Sequence, residues 1–443
     1  MEKIEIIIIG GGPAAITVAK NIGTKKQVAL IRPEDHSMIY CAMPYAIEGI
    51  MNIEKTLKKD SIVTDAGAAL IRDFVTKVDF DNKIVETKSG ASYKYEKLII
   101  ASGANPIIPP IEGTDISGVM TFKTEDDLKD IMEQAKADVK EAVVVGAGAI
   151  GIELAQALNA INIKTYLVDM FDSILPNMMD ANMIAEVQYK LEQTGISLHL
   201  GERVTKLIGS DYVESLSFAS GNSLHFKSKP LIIFAVGMRP SIEIFKDTRL
   251  EIGKTGIIVD GYMKTNVEDV YAVGDCCEFK SALTGNVVLG KMATNAVPMG
   301  RLLAKNLLGD RREYKGFYNG AATKVGDFFV GSTGLSEKSA EENGYDYVTG
   351  KVKMTTAFPI MPSAKPVEVK LIADKKSQKI LGGQIVSGEP VTDKIDQITM
   401  AVQFGISVKD LVQLSYSSQP YQSFYPANNL LVQAAELIVK QFS

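Results

Sequence analysis

The sequence predicts an α/β protein in which two doubly wound parallel units, the second inserted into the first, precede an α+β unit. Three observations predict it. Two glycine-rich segments each follow a short apolar run: Gly10-Gly11-Gly12-Pro13-Ala14-Ala15 after residues 4–9, and Gly146-Ala147-Gly148-Ala149-Ile150-Gly151 after residues 142–145. An internal echo links them. Tyr95-Glu96-Lys97-Leu98-Ile99-Ile100-Ala101-Ser102-Gly103 follows the first segment and Leu231-Ile232-Ile233-Phe234-Ala235-Val236-Gly237 the second, at nearly the same distance, each ending on a small-residue turn. The last stretch, from 319 onward, has neither feature. It carries strand-like runs at 324–330, 366–372 and 379–386 and helical patterns at 393–404 and 428–439, separated by Gly, Ser and Pro.

Each glycine segment reads as strand, turn and helix. The glycines permit a tight turn and close backbone approach, and the helix N-terminus receives a pyrophosphate. These are Rossmann-like fingerprints, and two of them in one chain imply two dinucleotides and electron transfer between them. A third strand-like element, residues 270–273, ends in Gly274-Asp275, a carboxylate able to hydrogen-bond a polyol. A helical pattern from Ala293 to residue 308 follows. Asp169 stands roughly 20 residues beyond Gly146, where an acid binds an adenosine ribose and repels a 2′-phosphate; NADH is expected in preference to NADPH. In the first unit the run 27–31 ends in Arg32-Pro33-Glu34, so Glu34 is the ribose candidate there.

Composition narrows the class. The chain has 443 residues, 46% hydrophobic and 23% charged, with a formal net charge of −5 and no basic block, which argues against nucleic acid. No apolar run approaches a membrane span, and the run 4–9 leads straight into a fingerprint rather than a cleavage site. Three cysteines make no disulfide framework and fit a reducing cytoplasm. No metal ligand set is assigned.

The two fingerprints, the Ala101-Ser102-Gly103 and Ala235-Val236-Gly237 turns and Gly274-Asp275 together resemble the flavin-dependent pyridine nucleotide-disulfide oxidoreductases. The resemblance implies an FAD-binding domain over 1–112 and 243–318, an NAD(H)-binding domain over 113–242 and a dimerisation domain over 319–443. It places FAD on Gly10, Gly12, Ala15, Glu34, Ser102, Gly103 and Asp275, with Ala293 and Thr294 near the isoalloxazine. NADH falls to Gly146, Gly148, Gly151, Asp169 and Gly237, with Glu153 reaching the nicotinamide region. The segment Cys41-Ala42-Met43-Pro44-Tyr45 is similar to that of the single-cysteine branch, which includes coenzyme A disulfide reductases, NADH oxidases and peroxidases, and persulfide or polysulfide reductases. The dithiol branch needs a second cysteine at position 46, which is Ala, and a histidine after His225, which is missing.

Cys41 opens an expected helical turn, where backbone charge favours the thiolate. Beside a flavin, that thiolate can attack a sulfur–sulfur bond and be regenerated. Cys276 and Cys277 read as packing residues. Family peroxidases and water-forming oxidases carry a histidine in the first fingerprint, but here the stretch is Pro13-Ala14. Coenzyme A disulfide reductases place basic residues on the first helix and a tyrosine pair near the sulfur. Here the helix ends Asn21-Ile22-Gly23, one tyrosine position falls in Pro359-Ile360-Met361-Pro362, and Tyr416 or Tyr421 supplies the other. The expected activity is transfer of electrons from NADH through FAD and Cys41 to a persulfide, polysulfide or coenzyme A disulfide. The rivals are exchange of electrons with an iron–sulfur protein partner, and an NADH oxidase producing hydrogen peroxide.

Overall fold

A computed structural model describes residues 1–137, 139–425 and 427–442. Packing divides the chain into two units, one of residues 1–107, 123–128 and 237–317, the other of 108–122, 129–236 and 318–443.

The first unit is built on Glu2–Ile9, whose isoleucines 6–9 are buried without alternation because the strand lies inside a parallel sheet. Ala69–Arg72, Val28–Arg32, Glu2–Ile9 and Ser92–Ile100 run side by side, with Val270–Ala272 also parallel to Ser92–Ile100. Ile84–Thr87 and Val75–Asp79 complete the sheet as an antiparallel flap. Helices Pro13–Ile22 and Ala293–Leu307 pack against each other at Gly300, where a Cβ would lie 2.7 Å from the Ala14 carbonyl oxygen. The strands' C-terminal ends and the glycine turn therefore share one end of the sheet, where ligands bind in such folds.

The second unit repeats this plan with a five-stranded parallel sheet in the order Val119–Thr121, Pro230–Phe234, Glu141–Val145, Lys164–Asp169, Ser197–Leu200. Its C-terminal part is a five-stranded antiparallel sheet covered by helices Thr392–Gln403 and Leu430–Val439. One expectation is corrected here. The run 324–330 is not one strand but the turn of a hairpin, Ala321–Val325 with Phe328–Gly334, reversing at Gly326 with φ 57°. Tyr347–Thr355, which the sequence pattern did not reveal, forms the far edge of that sheet.

The two parts of this unit are joined by a buried ion cluster. Lys370, 1% exposed, reaches Asp180 at 2.6 Å and also pairs with Glu337. Gln384 donates to Asp180 at 2.7 Å. Among the described residues no helix is long and apolar enough to cross a membrane.

Candidate functional site

The two glycine turns share one backbone framework. Gly10 N–H donates to the Ile31 carbonyl at 2.8 Å, and Gly146 N–H to the Val168 carbonyl at 2.7 Å. Both glycines have positive φ, 113° and 114°. A Cβ would lie 2.2 Å from the Ala101 oxygen at Gly10 and 2.5 Å from the Ala235 oxygen at Gly146, so neighbouring backbone occupies that space. Gly151 is equally constrained, since its Cβ would meet the Gly146 oxygen at 1.8 Å; Ala15, fully buried, stands in the matching place of the first unit.

Gly12 and Gly148 behave differently. Both are extended with ordinary φ (−77° and −75°), and a Cβ on either would meet nothing within 4 Å. The fold does not require glycine at these two positions. Each is the N-cap of its helix, and neither helix has a side-chain cap or a first-turn acid. Open space in front of uncapped N–H groups at a positive helix end is a seat for an anion. The pyrophosphate of a dinucleotide fits both places.

The strand tips then separate the two turns. Asp169 ends its strand, and its carboxylate accepts from Ala147 N–H at 2.6 Å and Phe171 N–H at 2.9 Å, which holds it against the glycine turn. The hydrogen bonds from Gly10 and Gly146 put Arg32, not an acid, at the matching position of the first unit. Arg32 is 2% exposed, and Glu34, two residues further, is exposed.

Around the first turn the structure gathers several charged groups. Asp275 follows Val270–Ala272 through Gly274, where φ is 79° and a Cβ would lie 3.0 Å from the Ala14 methyl. Its Oδ1 is buried and has no hydrogen-bond partner, and burial pushes its carboxyl above the usual range against the pull of Lys123 and Lys291. Lys291 donates to the Asp275 carbonyl at 2.8 Å and to the Thr255 carbonyl at 3.0 Å. Lys123 donates to the Ala104 carbonyl and stands 5.6 Å from the centre of the Tyr40 ring. Burial lowers the Lys123 ammonium, opposed by Asp275 and Glu34. An acceptor without a donor, between two desolvated ammonium groups, suits the hydroxyls of a polyol chain.

Ser102 donates to the Ser241 carbonyl at 2.6 Å, and Gly103, with φ 73°, accepts from Ser241 N–H at 3.0 Å. Gly237 begins the segment grouped with the first unit, and its carbonyl accepts from Ile107 N–H. Ala293 and Thr294 open helix Ala293–Leu307 and are exposed. Beside them Asn295 is 2% exposed, its Nδ2 has no partner, and its Oδ1 accepts from the Tyr314 hydroxyl. Cys41 is an exposed thiol in the single 3₁₀ turn Tyr40–Ala42 that leads into helix Met43–Ile47. Cys276 and Cys277 are fully buried, in keeping with the packing role expected of them.

In the second unit, Glu153 is not a solvated helix carboxylate. Its Oε1 accepts from the Thr323 hydroxyl at 2.6 Å, and burial raises its carboxyl above the ordinary range. Sequence reasoning missed Lys123, Lys291, Asn295 and Thr323. Asn295 directly follows the Ala293-Thr294 pair and could have been found there; no motif surrounds the other three, and only tertiary packing brings them to these places.

Two nucleotide turns and one exposed thiol define an α/β dinucleotide-binding redox protein. The pyridine nucleotide-disulphide oxidoreductase model matches residues 4–300, and the dimerisation-domain model of the same family matches 321–424. The chain is 33% identical to an NADH oxidase of Methanocaldococcus jannaschii, over 99% of both chains. It is 31% identical to a CoA-dependent NAD(P)H sulfur oxidoreductase of Pyrococcus abyssi, over 92% of each. Among solved structures, the NAD-dependent persulfide reductase from A. fulgidus superposes with a TM-score of 0.92 at 28% identity, covering 99% of this chain and 83% of that one. The chain belongs to the pyridine nucleotide-disulphide oxidoreductase family and is an oxidoreductase that works with a pyridine nucleotide.

Proposed function

We propose that the protein is an FAD-dependent NADH oxidoreductase that reduces a persulfide, polysulfide or coenzyme A disulfide at Cys41. The observation that carries this reading is the pair of uncapped glycine turns in a chain that also presents an exposed Cys41 thiol. FAD belongs to the domain of 1–112 and 243–318, held by Gly10, Gly12, Ala15, Ser102, Gly103 and Asp275, with Ala293 and Thr294 toward its ring. NADH belongs to 113–242, at Gly146, Gly148, Gly151, Glu153 and Asp169. Gly237, on the turn after strand Pro230–Phe234, belongs to the same site.

FAD supplies, when bound, two-electron transfer between reduced nicotinamide and sulfur. The residues do the rest. Asp275 would accept from the ribityl hydroxyls, and the helix N-termini at Gly12 and Gly148 would hold the pyrophosphates. Asp169 accepts from the adenosine ribose of NADH and repels the 2′-phosphate of NADPH. The Cys41 thiolate attacks the sulfur–sulfur bond of the acceptor, forming a mixed disulfide and releasing one thiolate, which takes up a proton. Two electrons from NADH then cleave the mixed disulfide, returning Cys41 to the thiolate and releasing the acceptor's second sulfur as a thiolate that takes up a proton.

The family's dimerisation segment over 321–424 supports a homodimer. Three cysteines, all unpaired, support a reducing cytoplasm. A second reading, oxidation of NADH by oxygen, is favoured by the relative named NADH oxidase. Against it, Ala14 offers no proton donor in the first turn. Electron exchange with an iron–sulfur protein is the remaining alternative, favoured by the Pro359-Ile360-Met361-Pro362 segment where a coenzyme A site would carry tyrosine. The test is anaerobic rapid mixing of the flavin-loaded protein with NADH, then with coenzyme A disulfide, polysulfide, oxygen or ferredoxin. Reoxidation fastest with a sulfur acceptor is expected; reoxidation by ferredoxin or oxygen alone would transfer the assignment to that rival.

A further inference from the structure

The first nucleotide turn lacks an acid at its strand tip, and the structure shows what stands there instead. Arg32 and Arg72 are register partners at the ends of the adjacent parallel strands Val28–Arg32 and Ala69–Arg72. Asp60 bridges them: its Oδ1 accepts from Arg32 Nη2 at 2.5 Å, and its Oδ2 accepts from Arg72 Nη2. Both guanidinium groups then hold the loop that carries Glu34. Arg72 Nη1 donates to the carbonyls of Asp35 at 2.6 Å and Glu34 at 3.3 Å, and Arg32 Nη2 to the Asp35 carbonyl at 3.2 Å.

Arg32 also ties this loop to the nucleotide turn. Its Nη1 donates to the Ser37 hydroxyl, and that hydroxyl donates to the Gly11 carbonyl at 2.6 Å. Its Cδ lies against Gly11, where a Cβ would come within 2.3 Å. Two arginines, joined through Asp60, also donate to backbone carbonyls of the four-residue surface loop 33–36, and so much side-chain ordering at one short loop fixes its position. A cleft of about 580 Å³ opens at the same strand ends, lined by Pro33, Arg72, Asp73, Phe74, Thr76 and Lys88. It offers an aromatic ring and two cations beside the loop, a lining suited to an adenine and its sugar.

We propose that Arg32, Asp60 and Arg72 form a clasp that presents Glu34 as the acceptor for the adenosine ribose hydroxyls of FAD. The acid at the tip of the second unit's strand is thus replaced in the first by an acid two residues further on, set in place by charge. Arg32 and Arg72 are positioning residues. This inference rests on the FAD assignment.

The test titrates the flavin-free full-length protein with FAD, with FMN, which has no adenosine, and with FAD carrying 2′-deoxyadenosine. Glu34→Gln should weaken FAD about tenfold and leave FMN unchanged. Arg72→Met should give a similar loss confined to FAD. The double variant should lose no more than the larger single loss, because both act through one contact. Wild-type protein should bind the deoxy analogue as weakly as Glu34→Gln binds FAD. Arg72→Lys, which keeps a charge on Asp60, serves if Arg72→Met does not fold, and should show the same FAD-only loss in smaller measure. Equal losses for FAD and FMN, or additive losses in the double variant, would overturn the clasp. So would unchanged FAD binding by Glu34→Gln, with the FAD assignment left standing. Wild-type protein that binds no flavin would overturn the functional reading and the clasp with it.

Discussion

Asp169 is fixed by the Ala147 N–H of its glycine turn and by the Phe171 N–H beyond its strand, and under the proposed function its charge stands where a 2′-phosphate would arrive. A like-charge contact of this kind is worth on the order of 1–3 kcal/mol, a factor of about ten to a hundred. Asp169→Asn keeps the shape and loses the charge, and it should reduce the preference for NADH over NADPH by at least about tenfold in kcat/KM. An unchanged ratio would remove Asp169 from this role. Glu153 allows a pH test. Its carboxyl is raised by burial, so its stability contribution is whole below the ordinary carboxylate range and is lost as pH climbs through the raised value. Glu153→Gln should therefore gain thermal stability relative to wild type as pH rises above the ordinary carboxylate range; a pH-independent difference in Tm would contradict the burial. At this scale the sequence disclosed residues inside motifs and little else. Asp169 and Asp275 were legible because a fixed distance from a glycine turn or a strand end marks them. Lys123 and Lys291 were not, because their significance is the desolvation beside Asp275, which only the folded chain creates.

The glycine turns separate two demands that one motif conceals. Gly10 and Gly146 answer to the fold, through positive φ and a carbonyl oxygen within 2.5 Å of any Cβ. Gly12 and Gly148 do not, since a Cβ on either would meet nothing within 4 Å, and under the proposed function they answer to the ligand instead. Gly10→Ala should therefore cost at least about 2 kcal/mol of stability. Gly148→Ala should leave the Tm of the nucleotide-free protein within about 2 °C while weakening NADH about tenfold or more. Melting curves and NADH titration decide the matter; an equal Tm loss at both positions would show that the glycines share one role. The fully buried strands were legible from their apolar runs. Tyr347–Thr355 was not, because Lys351 and Lys353 break the run and Gly350 reads as a breaker. The structure explains that glycine: helix Leu430–Val439 crosses so closely that a Cβ would meet the Ala434 oxygen at 2.0 Å. The hairpin at Gly326 was read as one strand because its turn, Gly326-Asp327, is short enough to leave both arms in a single apolar window.

Over the whole molecule, the order of nucleotide turns and the C-terminal α+β segment could be read from the chain, but the joints could not. Lys370, Asp180 and Glu337 are far apart in sequence and meet only because helix Ala181–Glu192 and the C-terminal sheet are packed in one unit. The same C-terminal segment matches the family's dimerisation domain and exposes Tyr416, Tyr421 and Tyr425. Exposed aromatics in such number suit an interface. Full-length protein should sediment as a dimer at micromolar concentration, and a monomer there would contradict the proposed assembly. The central claim, that electrons leave through Cys41 to sulfur, has one direct measurement: anaerobic rapid mixing of Cys41→Ser, loaded with FAD. The account predicts that NADH still bleaches the flavin absorbance at close to the wild-type rate, because no step before sulfur needs the thiol. It also predicts that reoxidation by persulfide or disulfide falls at least about a hundredfold, since a serine hydroxyl is far less acidic than a thiol. Reoxidation by the sulfur acceptor at the wild-type rate would contradict it and make Cys41 a structural residue.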